Sequence, residues 1–218
     1  MKQQEIQDIL IFLQRSKGLE SAKRYGSSLR EEQNTVAAHS WRLALMALVI
    51  GEECKVRINI NHAVALALIH DLAEAKTGDL DAYAKITGGA QSIKNKSVLE
   101  EAAMREMTSD LSFGGSIYSW WREYEDQTTM EAKFVCALDR IEGFLHIAEG
   151  GVEMYIPKEF HADYANKAVA AFDEATHHFP ELKDLLDVVK KNLREQFKRA
   201  GVKWIDGVEE TPTAVEGV

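Results

Sequence analysis

The sequence predicts an all-α fold, and three observations predict it. Apolar residues recur at helical spacing along most of the chain. The three prolines (Pro157, Pro180 and Pro212) all fall in its last third, and no alternating apolar–polar run is long enough for a useful strand. With 218 residues, 45% of them hydrophobic, the chain can bury one sizeable core. The expected organisation is a single helical domain over residues 1–205 and a tail, 206–218. The tail sequence DGVEETPTAVEGV is too polar and small-sided to pack and is expected to be disordered.

Taken in order, residues 3–15 place Ile6, Ile9, Leu10 and Leu13 on one helical stripe. The segment LESAKRYGSSLREEQ (19–33) lacks periodicity and reads as a loop. Asn34 or Thr35 then offers a side-chain cap for a long helix through Glu53. Its stripe of Val36, Leu43, Met46 and Ile50 also carries His39. A further helix is expected from Asn59 or Asn61 to about Lys76, with Gly78 as its stop. Residues 81–93, which include TGG, read as a loop. Helices are expected again at roughly 94–109, 116–126, 129–148, 160–178 and 181–200, with Pro180 separating the last two.

A formal net charge of −9 argues against general affinity for nucleic-acid phosphates or anionic membranes, so an anionic substrate needs a local positive site. Two cysteines, Cys54 and Cys136, with no CxxC pair, make no disulfide framework. The first residues, MKQQEIQDILIFLQRS, are amphipathic and carry acids, unlike a secretory signal, and no apolar run reaches membrane-spanning length. The expectation is a soluble, cytoplasmic protein.

Four polar residues interrupt apolar helical segments: His39, His70, Asp71 and Asp139. His70 and Asp71 follow the run AVALALI, where burying them unpaired costs several kcal/mol. Each of the four can be satisfied separately by a hydrogen bond or salt bridge. Together, two imidazoles and two carboxylates form an N/O set suited to a divalent transition ion, which offsets the burial cost of all four. Glu74 follows His70 by four residues and Asp71 by three, which places it on the same side of a helix. A carboxylate there can move a proton to or from a water or a leaving oxygen; as a surface acid near a helix end it does neither. Gly78 turns the chain and lets Asp79 return toward the same place, or Asp79 is simply a turn residue. His146 lies two turns after Asp139 and reads as a core or surface residue, and Trp120 and Trp121 as core or interface residues.

His39, the His70-Asp71 doublet and Asp139 resemble the H…HD…D signature of HD-domain phosphohydrolases. HDLAEAKTGDL (70–80) and EAKFVCALDRIE resemble segments of the 5′-deoxynucleotidase branch of that family, with similarity from about residue 20 to 150. The resemblance implies an HD-domain helical bundle and one divalent metal ion (Mn, Co, Mg, Fe, Ni or Zn) on His39, His70, Asp71 and Asp139. It further implies Glu74 and Asp79 as catalytic groups, Arg24 as the phosphate-holding cation and Tyr25 beside the sugar. The implied activity is hydrolysis of (deoxy)nucleoside 5′-monophosphates to nucleoside and phosphate by a homodimer, while the charge already makes nucleic acid and membrane unexpected partners. Two departures stand out: Tyr25 replaces the usual tryptophan, and Ala38 replaces an acid just before the first histidine. Dinuclear relatives insert histidines between the doublet and the last aspartate, and residues 72–138 hold none. Hydrolysis of another nucleotide, such as guanosine tetraphosphate, and a non-catalytic metal-binding module are the competing readings.

Overall fold

The structure, a computed structural model, describes residues 2–24, 34–79, 82–155 and 161–201, with backbone alone at 82–94 and 161–164. The tail expected from 206 and the residue Tyr25 lie outside the described residues. Among these residues the regular elements are helical, as the spacing predicts, with one antiparallel bridge between Lys23 and Thr35.

Helix α1 (Gln3–Ser16) docks through a polar contact rather than through its expected stripe. Ile6, Ile9, Leu10 and Leu13 are exposed, and the buried residue is Asp8. Asp8 accepts the Ser112 N–H at 2.9 Å and the Gln4 amide at 2.7 Å. Phe12 stands edge-on to Phe113, and Arg15 donates to the Met107 carbonyl and Asp110. Periodicity finds the helix but cannot say which stripe faces inward.

A 3-10 turn (Lys17–Glu20) follows and runs into the first residues of the expected loop. Thr35 then caps α2 (Val36–Glu53), its hydroxyl accepting from Ala38 N–H. Val36, His39, Leu43 and Ala47 are buried along α2, so His39 is carried inward by the apolar stripe that holds it. Asn59 caps α3 (Ile60–Ile69) by accepting from His62 N–H. The helix expected to run to Lys76 ends here. His70 to Ala73 form tightened turns in which Leu72, Glu74 and Ala75 donate to the carbonyl three residues back, before the short α4 (Glu74–Thr77). Gly78 ends α4 at φ 71°, a conformation that side chains rarely tolerate.

Of the segment 81–93 read as a loop, residues 82–93 instead belong to α5 (Ala82–Thr108). Gly88 and Gly89 each cost a helix about 1 kcal/mol relative to alanine, and a helix 27 residues long bears that cost. Helices α6 (Gly114–Glu125), α7 (Met130–Gly150), the single turn α8 (Val152–Tyr155), α9 (His161–His178) and α10 (Lys183–Arg199) complete the fold. Thr129 caps α7, and Pro180 starts a 3-10 turn between α9 and α10.

Two apolar clusters hold these elements. The larger joins α2, α3, α7, α9 and α10 through residues such as Leu43, Leu66, Phe134, Leu138, Phe172 and Phe197. The smaller gathers Leu19, Val36, Leu72, Met104, Met107 and Trp121. His39, His70 and Glu74 belong to the helices and turns that these clusters pack, so the bundle positions its polar residues by burying the apolar ones beside them.

Candidate metal centre and active site

His39 and His70 are 1% and 2% exposed, so their ring nitrogens must find partners inside the protein. His70 directs Nδ1 at the Ala67 carbonyl, 2.9 Å away, and a carbonyl can only accept. His70 therefore carries its proton on Nδ1 and turns the Nε2 lone pair inward. His39 does the same by a different route: its Nδ1 donates to Glu142 Oε2 at 2.7 Å. The two Nε2 atoms then face each other 3.3 Å apart.

Carboxylate oxygens close on the same point. Asp71 Oδ2 lies 3.0 Å from His70 Nε2 and 3.8 Å from His39 Nε2, and Asp139 Oδ1 lies 3.1 Å from His39 Nε2. One ligand atom each from His39, His70 and Asp71 falls within 4.8 Å of the others, and Asp139 joins through His39. Electron-pair donors thus converge on electron-pair donors. A divalent cation resolves that arrangement, and the mixed N/O set fits one. Beside these carboxylates it is His39 that leans toward the cationic form. Burial opposes a charged His39, but hydrogen bonds with Asp139 and Glu142 raise it to about 9. Asp71 and Asp139 are held below the usual carboxylate range: burial opposes ionisation, and the histidines outweigh it.

Three supporting residues escaped the sequence reading. Glu142, fully buried, holds His39 Nδ1 and also accepts from Arg24 Nη1 at 2.9 Å. Glu142 comes from α7, three residues after Asp139 and so on the same helix face. That spacing is a signal the sequence does contain. Tyr124 donates to Asp139 Oδ2 at 3.2 Å and meets the His70 ring edge-on, 5.1 Å between centroids. Burial and the neighbouring Asp139 push its hydroxyl well above the usual phenol range. Lys96 of α5 donates to Glu74 Oε1 at 2.9 Å and pairs with Glu100 at 3.0 Å.

Of the remaining expected residues, Glu74 is 2% exposed and is no surface acid. Its Oε2 is buried without a hydrogen-bond partner among the described residues. Burial first, then the nearby Asp71, raises Glu74 to about 8 against the pull of Lys96. Asp79 follows Gly78 and is close enough for its charge to act on Glu74. Arg24 joins this group through Glu142, its backbone N–H bonded to the Asn34 carbonyl at 3.0 Å. His146 stays apart, near Asn34 and the Tyr155 ring.

Comparison with known proteins agrees with this geometry. Residues 17–181 match the HD domain family model. Human 5′-deoxynucleotidase HDDC2 is 36% identical over 145 residues, covering 65% of this chain and 67% of that protein. The Danio rerio 5′-deoxynucleotidase HDDC2 is 29% identical over 178 residues, covering 81% and 82%. Among solved structures, a predicted metal-dependent phosphohydrolase from Magnetospirillum magnetotacticum superposes with a TM-score of 0.72 at 22% identity. That match spans 91% of this chain and 96% of the other, and shows the shared fold. A family match that takes in the whole His39 to Asp139 cluster, on a helical bundle of the same fold, means that this chain belongs to the HD domain family.

Proposed function

We propose that the chain is a metal-dependent phosphomonoesterase that hydrolyses deoxynucleoside 5′-monophosphates to nucleoside and phosphate. The observation that carries this reading is the convergence of the His39 and His70 Nε2 lone pairs with Asp71 and Asp139, in a chain similar to 5′-deoxynucleotidases. In this reading His39, His70, Asp71 and Asp139 hold one divalent ion. Bound there, such an ion supplies Lewis acidity and an activated water. Arg24 clamps the phosphate and stabilises charge on its oxygens. Glu74 and Asp79 share proton transfer and water positioning, and Tyr25 borders the sugar.

The test is phosphate release from a nucleotide panel with added Mn²⁺, Co²⁺ or Mg²⁺. The expected outcome is turnover of 5′-monophosphates with deoxyribose favoured over ribose by about 10–200-fold, the range of a loosely excluding pocket. In Tyr25→Trp the ratio of kcat/KM for dAMP over AMP rises. Activity confined to guanosine tetraphosphate overturns the substrate, and metal binding without turnover of any nucleotide overturns the enzyme. The homodimer belongs to the same reading, supported by the exposed side of α2 that carries Trp41, Leu45, Leu48 and Val49. Sedimentation equilibrium tests it, with a monomer as the contrary result.

A further inference from the structure

We propose that Lys96 is a positioning residue for Glu74: it grips one carboxylate oxygen and thereby leaves the other as the working acceptor of the site. This role rests on the hydrolase reading above. The two residues come from different elements, Glu74 from the first turn of α4 and Lys96 from α5, twenty-two residues on. Lys96 Nζ reaches Glu74 Oε1 at 2.9 Å, while Glu74 Oε2 is buried and has no hydrogen-bond partner among the described residues. An orphaned acceptor in a folded interior calls for an occupant, and a carboxylate held by one oxygen presents the other in a defined place.

Glu100 explains why Lys96 stays put. It lies one turn further along α5, is 7% exposed, and takes the same ammonium at 3.0 Å. A long, flexible side chain gripped from two sides loses its freedom to swing. The Lys96 charge also reaches Asp71, which places the group beside the metal ligands.

Four variants test this: Lys96→Met, Lys96→Arg, Glu74→Ala and the Lys96→Met/Glu74→Ala double. The expected result for Lys96→Met is unchanged metal content and KM with kcat lowered about 10²-fold, as for a misplaced catalytic group. Lys96→Arg recovers most of the loss, and Lys96→Met adds nothing once Glu74 is alanine. A raised KM with unchanged kcat means that Lys96 binds the phosphate and overturns the proposal, as do additive losses in the double variant. Crystal structures of metal-free wild type and Lys96→Met give a readout independent of turnover. The Glu74 carboxylate leaves its place in the variant if Lys96 holds it, and an unmoved carboxylate overturns the proposal. A wild type that hydrolyses no nucleotide sinks the hydrolase reading, and the crystallographic comparison then decides on Lys96 by itself.

Discussion

At the scale of single residues, the site works by fixing which ring nitrogen of each histidine carries the proton. His70 uses a backbone carbonyl for this and His39 uses Glu142, so His39 depends on a side chain that mutation can remove. Glu142→Gln is expected to weaken metal binding about 10–100-fold, measured by equilibrium dialysis, because its amide is a poorer and tautomer-ambiguous partner. Glu74 is expected to behave differently. Glu74→Ala should keep near-normal metal content while turnover falls by about 10²-fold or more, whereas Asp71→Ala loses both. Elemental analysis beside steady-state kinetics separates the two outcomes, and metal loss in Glu74→Ala makes Glu74 a ligand.

At the scale of elements, two connections decide where the polar residues arrive. Gly78 holds φ 71° and ψ 165°, with open space where a Cβ would sit, so Gly78→Ala is resisted by backbone strain alone. That strain costs about 1–3 kcal/mol, read as a lowered Tm, and it moves Asp79. Helix α1 is held by Asp8, whose carboxyl is drawn below its ordinary value of 3.8 by hydrogen bonds from Ser112 and then Gln4. A depressed folded-state value means that this contribution is present above the unfolded value and is lost as pH falls through the folded one. Asp8→Ala is therefore expected to destabilise the protein near neutral pH. The gap to wild type shrinks below about pH 4, measured by thermal melts across pH. The sequence marked α1 as a helix and missed its buried face, because Asp8 docks by accepting a backbone N–H from a turn over a hundred residues away.

At the scale of the whole molecule, the larger apolar cluster carries α7, the helix that holds Asp139. Phe134, fully buried on α7, meets Phe179 edge-on at 5.2 Å and ties α7 to the junction of α9 and α10. Phe134→Ala is expected to lose about 3–5 kcal/mol in denaturant melts, with the transition remaining a single step if the helices form one cooperative unit. No helix among the described residues is long and apolar enough to cross a membrane. Trp121 lies in the smaller cluster as a core residue, whereas Trp120 is partly exposed and stands edge-on to His62.

What the sequence determined by itself was local or additive. Helical periodicity, the caps at Thr35 and Asn59, the stop at Gly78 and the polar interruptions at His39, His70, Asp71 and Asp139 are all written within one or two turns of chain. Tertiary structure decided whatever depends on two elements meeting. It turned the run after Ile69 into tightened turns and carried residues expected in a loop into α5. It also brought Glu142 to His39, Tyr124 to Asp139 and Lys96 to Glu74. The physical reason is that a buried charge is satisfied by whichever partner the packing delivers, and that partner is set by helices separated by tens of residues.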